Sequence, residues 1–463
     1  MTYLLSKSLI ESVLTAALAG GGDLSELFFE DTRRNSLEYR DGKVQTVLSG
    51  RDYGAGIRVL NGLNYVYAYT ADVSEAGLMA AARAAATAVG QQRKMREVRN
   101  LTLAPRRDLQ PALILPGASH AQERVSLARA AHDAARAYSP EIVQATASLA
   151  DVCQDVIIAN SDGVYVEDSR HRARFMINAA AAKGDEMQTG YQAPGRGAGF
   201  EFFRSLDVDA LAKSAAETAV TMLHAPFAPA GTMPVVVGNG FGGVIFHEAC
   251  GHSLESIRTG KNQSEFSGKM GQKVANSKVT AIDDGSLMGY WGSCGYDDEG
   301  TPTQRNILID KGILTGNLVD TLGSRRMGLA KTGSGRRQSY RFAPVSRMNN
   351  TFIAPGNDTG LIETIGYGLY AKQMGGGSVD TLTGEFNFAV LEGYLIKNGK
   401  IDSPVRGATL IGKGSEIIQR IDMVSGDLAH SEGMCGAESG SIPTCVGQPM
   451  IRVSSILVGG REA

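Results

Sequence analysis

The sequence predicts an α+β protein of three successive units: a small α/β unit over residues 1–105, a central α/β unit over 106–230, and a β-rich C-terminal unit over 231–463 that carries a histidine-bearing helix. Three observations predict it. Segments of helical and strand periodicity alternate through the first half of the chain. The composition shifts at Pro105 and Pro111, and again at residues 224–234, where three prolines fall in eleven residues. From Val235 onward the chain is glycine-rich, with repeated turn dipeptides, and runs into the strand-like IRVSSILVGG.

Leu5, Leu9, Ile10, Val13, Leu14, Ala17 and Leu18 recur at spacings of three and four, one stripe of an amphipathic helix. Ala17-Leu18-Ala19 resembles a signal-peptidase site, but Glu11 within the run argues against a leader. Residues 26–70 alternate strand-like runs with the turn signals Asp41-Gly42 and Asn61-Gly62, which predicts an antiparallel meander. Residues 74–89 read as an alanine-rich helix capped by Ser74, followed by the polar stretch QQRKMREVRN. The second unit is expected to begin at Ser119 with a helix, to continue through a long hairpin turning at Asp162-Gly163, and to end in a helix near Asp207–Leu223. No solenoid-like repeat is visible.

Composition narrows the function. A formal charge of −2, from 46 basic and 48 acidic residues, supplies no global field for nucleic acid or an anionic membrane. No uncharged apolar run of 18 residues suggests a membrane span. The five cysteines are odd in number and widely spaced, as expected in a reducing cytoplasm rather than a disulfide framework.

The stretch VVVGNGFGGVIFHEACGHSLE (235–255) admits two readings. Gly238, Gly240 and Gly243 spell the G-x-G-x-x-G of a dinucleotide loop, which next requires a helix and a second parallel strand ending in an acidic residue. Residues 258–274 are instead polar and broken by glycine, with Glu265 near the nominal distance but no strand for it to terminate. The alternative is that these glycines let a helix approach a strand closely. His247, Glu248 and His252 carry the second reading. Neutral imidazoles bind zinc, and a neighbouring carboxylate can take a proton from attacking water. On a regular α-helix residues five apart point about 140° from each other, against about 40° for four apart, so a shared metal needs a widened turn. Gly251 makes a π-bulge or a helix end there plausible. Cys250, Cys294, Cys435, Cys445 and His430 are all candidates for a third ligand, and spacing does not choose among them. Residues 325–341 hold six basic residues and no acid; Arg337, Tyr340 and Arg341 are the candidates there for gripping a peptide's carbonyls or terminal carboxylate.

FHEACGHSLE, DDEGTPTQRNILIDKGILTGNL, GSGRRQSYRFAPVSRMNNT, GGGSVDTLTGEFNF and MCGAESGSIPTCVGQP together resemble the TldD/PmbA family of metalloproteases, on its catalytic, TldD side. The family's metal motif is H-E-x-x-x-H, the spacing found here. The resemblance implies a C-terminal metallopeptidase domain, zinc bound by His247, His252 and Cys435, and Glu248 as general base. It implies proteolysis of small or unfolded polypeptides, including precursor-peptide maturation, inside the cavity of a dimer. That dimer is a homodimer or a heterodimer with a TldE/PmbA-type chain. Two other functions fit the residues: a silent subunit with a structural zinc, and a gyrase-associated regulator acting indirectly, since no DNA-recognition element is present.

Overall fold

The computed structural model describes residues 5–89, 96–117, 120–380 and 383–461. The start of the polar stretch at 91, and Ser119, where the second unit is expected to begin, lie outside them. The first helix, Lys7–Leu18, is capped by Ser6, whose hydroxyl accepts from the Leu9 N–H, and it buries Ile10, Val13, Leu14, Ala17 and Leu18. Strands Leu24–Arg40, Lys43–Asn61 and Asn64–Thr70 form the expected antiparallel meander. The first turn places Asp41 and Gly42 at φ 52° and 73°, the left-handed pair that matches strand twist in a tight hairpin. A second helix, Glu75–Val89, follows with the Ser74 hydroxyl accepting from the Gly77 N–H.

The meander's sheet continues into the central unit. Leu24–Arg40 pairs along its other edge with Ile142–Asn160, from Glu26↔Asn160 to Arg40↔Thr146, and Ile142–Asn160 pairs in turn with Val164–Lys183. The helices of the two α/β units lie side by side on one face of this sheet. Strand residues two apart share a face. Leu27 and Phe29 therefore meet the first two helices, while Leu37 and Tyr39 meet helices Ala121–Tyr138 and Val208–His224. On the opposite face Glu26, Phe28 and Glu30 turn toward the C-terminal unit.

Besides a two-stranded ribbon, Gly335–Arg336 with Val345–Ser346, that unit holds two larger sheets. In one, Gly231–Val237, Ile451–Gly459, Thr409–Lys413, Glu385–Lys397 and Tyr367–Val379 pair successively, and the last returns to the first, closing a ring around an apolar core. The other ends in an edge strand, Ala429–Ala437, that forms a hairpin with Gly440–Gln448.

Two of three consecutive acids fasten the C-terminal unit to the large sheet, and the first shapes the loop that carries them. Asp297 accepts from the Glu299, Thr301 and Gly335 N–H groups and shapes its own loop. Asp298 takes the Arg170 guanidinium at 2.6 Å and the Arg337 N–H at 2.7 Å. Glu299 accepts from Thr321 and pairs with Arg58, which also pairs with Glu26. Burial alone would lower the Arg58 pKa, but the two carboxylates raise it above its ordinary value, so the guanidinium stays charged.

Candidate metal centre

The chain leaves strand Gly231–Val237 through Gly240, at φ 67°, and enters a single 3₁₀ turn, Gly240–Gly243, and a short helical turn, Val244–Phe246. His247–Gly251 is then a π-turn, in which the His252 N–H donates to the His247 carbonyl five residues back. This widening brings the two histidines to one side, as the motif's spacing required. Gly251 has an ordinary φ; its missing Cβ matters because the Met348 thioether occupies that space. Ile245, Phe246, Ala249, Cys250 and Leu254 anchor the turn in the core of the ring.

The glycine fingerprint serves packing. A Cβ on Gly243 would strike the backbone of Gly447, and one on Gly238 the carbonyl of Lys372. The next strand, Ala281–Asp284, belongs to the other sheet, so the dinucleotide reading has no structural partner.

Cys435 comes from the edge strand, 188 residues beyond His247. Its backbone is held by the buried Arg347, which donates to the Cys435 carbonyl at 2.6 Å and to the Gly440 carbonyl and Ser439 hydroxyl across the hairpin. The Cys435 sulfur lies 3.3 Å from His247 Nε2 and 3.2 Å from His252 Nε2. Thiolate and imidazole ligands around a tetrahedral zinc sit about 3.5 Å apart, so the three donors match such an ion after only a slight separation. Burial by itself would raise the Cys435 pKa, but the charges and hydrogen bonds of His247 and His252 bring it to about 3, so the sulfur is a thiolate. His252 moves the other way: burial would lower it, but Glu255 and Cys435 raise it.

The buried Glu255 carboxylate lies 3.2 Å from His252 Nδ1 and leaves Nε2 to face the thiolate. His247 Nδ1 is buried without a hydrogen-bond partner. Glu248, with a side chain 28% exposed, stands 3.7 Å from His252 Nε2 at the open side of the centre. Among the described residues, His247, His252 and Cys435 are the group that can hold a metal ion.

The other ligand candidates lie elsewhere. Cys250 is fully buried in the apolar core, and burial pushes its thiol up. Cys294 and Cys445 are buried free thiols. His430 packs edge-on against Tyr290 and Phe352, and burial, reinforced by Arg196, lowers it to about 4. The basic stretch is spent largely on the large sheet. Arg337 donates to the Asp298 carbonyl and to the Tyr67 hydroxyl and covers the Phe28 ring. Tyr340 is only 1% exposed, with its N–H donated to Glu30, and Arg341 pairs with Asp52 at 2.6 Å. Sequence reasoning missed Glu255 and Arg347. The first had a signal, an acid three residues past His252; the second had none, because its partners are about 90 residues away.

Two imidazoles and a thiolate with a carboxylate at their open side, on this α+β scaffold, define a protein of the metallopeptidase class. The descriptions "PmbA/TldA metallopeptidase domain 1", "central domain" and "C-terminal domain" match residues 25–89, 115–223 and 230–460. The chain belongs to the PmbA/TldD metallopeptidase family. It is 36% identical over 452 residues to a metalloprotease TldD homologue of Haemophilus influenzae, covering 95% of this chain and 93% of that one. It is 33% identical to a metalloprotease of Methanothermobacter thermautotrophicus, covering 93% and 94%. In fold it is similar to a putative modulator of DNA gyrase from Thermotoga maritima, with a TM-score of 0.78, 21% identity and 98% and 100% coverage. TldE from Thermococcus kodakarensis gives 0.75, 17%, and 98% and 100%.

Proposed function

We propose that this chain is a zinc-dependent peptidase that hydrolyses small or unfolded polypeptides, in precursor maturation or degradation, with Glu248 as general base. The observation that carries this reading is the convergence of His247, His252 and Cys435 with Glu248 exposed beside them. A zinc ion bound there would supply Lewis acidity toward a peptide carbonyl and toward water. The Glu248 carboxylate accepts the proton of the attacking water and returns it to the leaving amine. Three protein donors rather than four leave an open position, which favours catalysis over a purely structural zinc. Ala429–Ala437 is an edge strand, so an extended peptide can add beside Cys435. Trp291 and Arg174 already donate to the Gly433 and Glu432 carbonyls and Arg347 to that of Cys435, so such a peptide would pair with the remaining backbone groups from Met434 onward. Arg337 and Arg341 line a neighbouring cavity from which they can help hold it, with Tyr340 packed behind them. The chain acts in the cytoplasm, as a homodimer or with a TldE-type partner. No helix among the described residues is long and apolar enough to cross a membrane.

The test is the zinc content of the wild type beside Cys435→Ser. About one zinc per chain, lost in the variant, is expected. Full zinc retention in Cys435→Ser would remove the thiolate from the centre and the mechanism with it.

A further inference from the structure

A cavity of about 340 Å³ lies between the large sheet and the C-terminal unit. Its sheet side is a cross-strand row: Arg34 pairs with Val152, and Val152 with Arg172, so the two arginines flank Val152 on one face, with Arg170 two residues along. Arg336, Arg337 and Arg341 line it from the other side, and the carboxylates on its wall are Asp52 and Asp298. Both acids are already engaged, Asp52 by Arg341 and Asp298 by Arg170. Arg172 and Arg336 are buried, yet their described hydrogen bonds run to neutral carbonyls, of Trp291 and Ser293 for Arg172 and of Met348 for Arg336. Burial, then the charges of Arg336 and Arg170, pulls the Arg172 guanidinium down to about 9. Asp298 offsets the Arg172 and Arg336 guanidinium groups only in part, since it is already paired with Arg170; buried charges of one sign so little compensated are costly, and a bound anion relieves that cost.

The cavity also reaches the metal centre's strand. Met434, directly before Cys435, and its cross-strand partner Pro443 form part of the wall. Consecutive strand residues face opposite sides, and an added peptide alternates in the same way. A peptide whose reacting carbonyl lies on the Cys435 side therefore sends neighbouring groups to the Met434 side.

We propose that this arginine-lined cavity binds a carboxylate of the peptide substrate, so that the centre prefers chains with an acidic group beside the bond to be cut. The inference rests on the peptidase reading and names its substrate class. The carboxylate comes from an Asp or Glu side chain or from the chain terminus.

The test is binding to the zinc-loaded, full-length Glu248→Ala protein, which removes turnover from the readout. Three otherwise identical hexapeptides separate the sources: one with a central Glu and an amidated end, one with a central Gln and a free end, and one with a central Gln and an amidated end. At least one acidic peptide is expected to bind ten-fold or more tightly than the neutral one. In Arg172→Gln and Arg336→Gln, checked for native thermal unfolding, its affinity should fall to that of the neutral peptide. Arg34 is exposed at the rim, so Arg34→Gln reports on the cavity should the buried variants not fold. Equal binding of all three peptides, or a preference that persists in every folded variant, would overturn the assignment. Hydrolysis of the neutral peptide by the wild type tests the peptidase reading separately, and its turnover alongside equal binding would sink the cavity assignment alone.

Discussion

Glu255 governs how His252 presents itself. Its carboxylate, 3.2 Å from Nδ1, fixes the ring's orientation and leaves Nε2 for the metal. Glu255→Gln should weaken zinc binding about 10- to 100-fold in titrations against a competing chelator; unchanged affinity would reduce this carboxylate to a packing group. Glu248 is expected to behave oppositely. Glu248→Ala should keep its zinc while peptide hydrolysis falls about 10²- to 10⁴-fold, the usual contribution of a positioned base. Joint loss of metal and activity would make Glu248 a structural residue. At this scale the His-Glu-His motif was legible because its chemistry lies within six consecutive residues. Cys435 became legible only through resemblance, since a lone cysteine distant in sequence gives no geometric signal of its own. Arg347 was illegible, because its role exists only after the hairpin at Ser439–Gly440 has formed around it.

The π-turn is the element that turns an awkward spacing into a usable one. Its cause is partly local, in Gly251, and partly distant, in the Met348 side chain packed where a Cβ would stand. Gly251→Ala should cost about 1–3 kcal/mol by overpacking, measured by urea denaturation, and should lower zinc affinity by displacing His252. Met348→Ala in that background frees the space, so part of the zinc affinity should return; no recovery would place the strain elsewhere. Among elements, the amphipathic helices and the Asp41-Gly42 and Asp162-Gly163 hairpins were legible because periodicity and turn chemistry are local signals. The pairing of Leu24–Arg40 with Ile142–Asn160 was not, since no local pattern records which distant strand fills an open edge. Two apparent units with their own helices therefore share one sheet.

Across the whole molecule, the Asp297–Glu299 loop converts sequence neighbours into two separate fastenings, Asp298 to Arg170 and Glu299 to Arg58. Arg58, buried between Glu26 and Glu299, is the most costly to disturb, because its loss strands two buried carboxylates. Arg58→Ala should destabilise by about 3–5 kcal/mol in chemical denaturation. Arg51→Ala, which removes a half-exposed partner of Asp31 on the same strand, should cost less than about 1 kcal/mol. Comparable costs for the two would mean that the buried contact is not what joins the units.

The closed ring also sets an order of events during synthesis. The π-turn packs on a core that is complete only when Ile451–Gly459 slots between Gly231–Val237 and Thr409–Lys413. At ribosomal speeds of about 5–20 residues per second, that strand emerges roughly 10 to 40 seconds after His247. For most of this interval the growing chain is itself an extended polypeptide, and its histidines have neither their thiolate, which follows 188 residues behind His247, nor their scaffold. Late closure thus keeps the centre unassembled while its own nascent chain is the nearest peptide within reach.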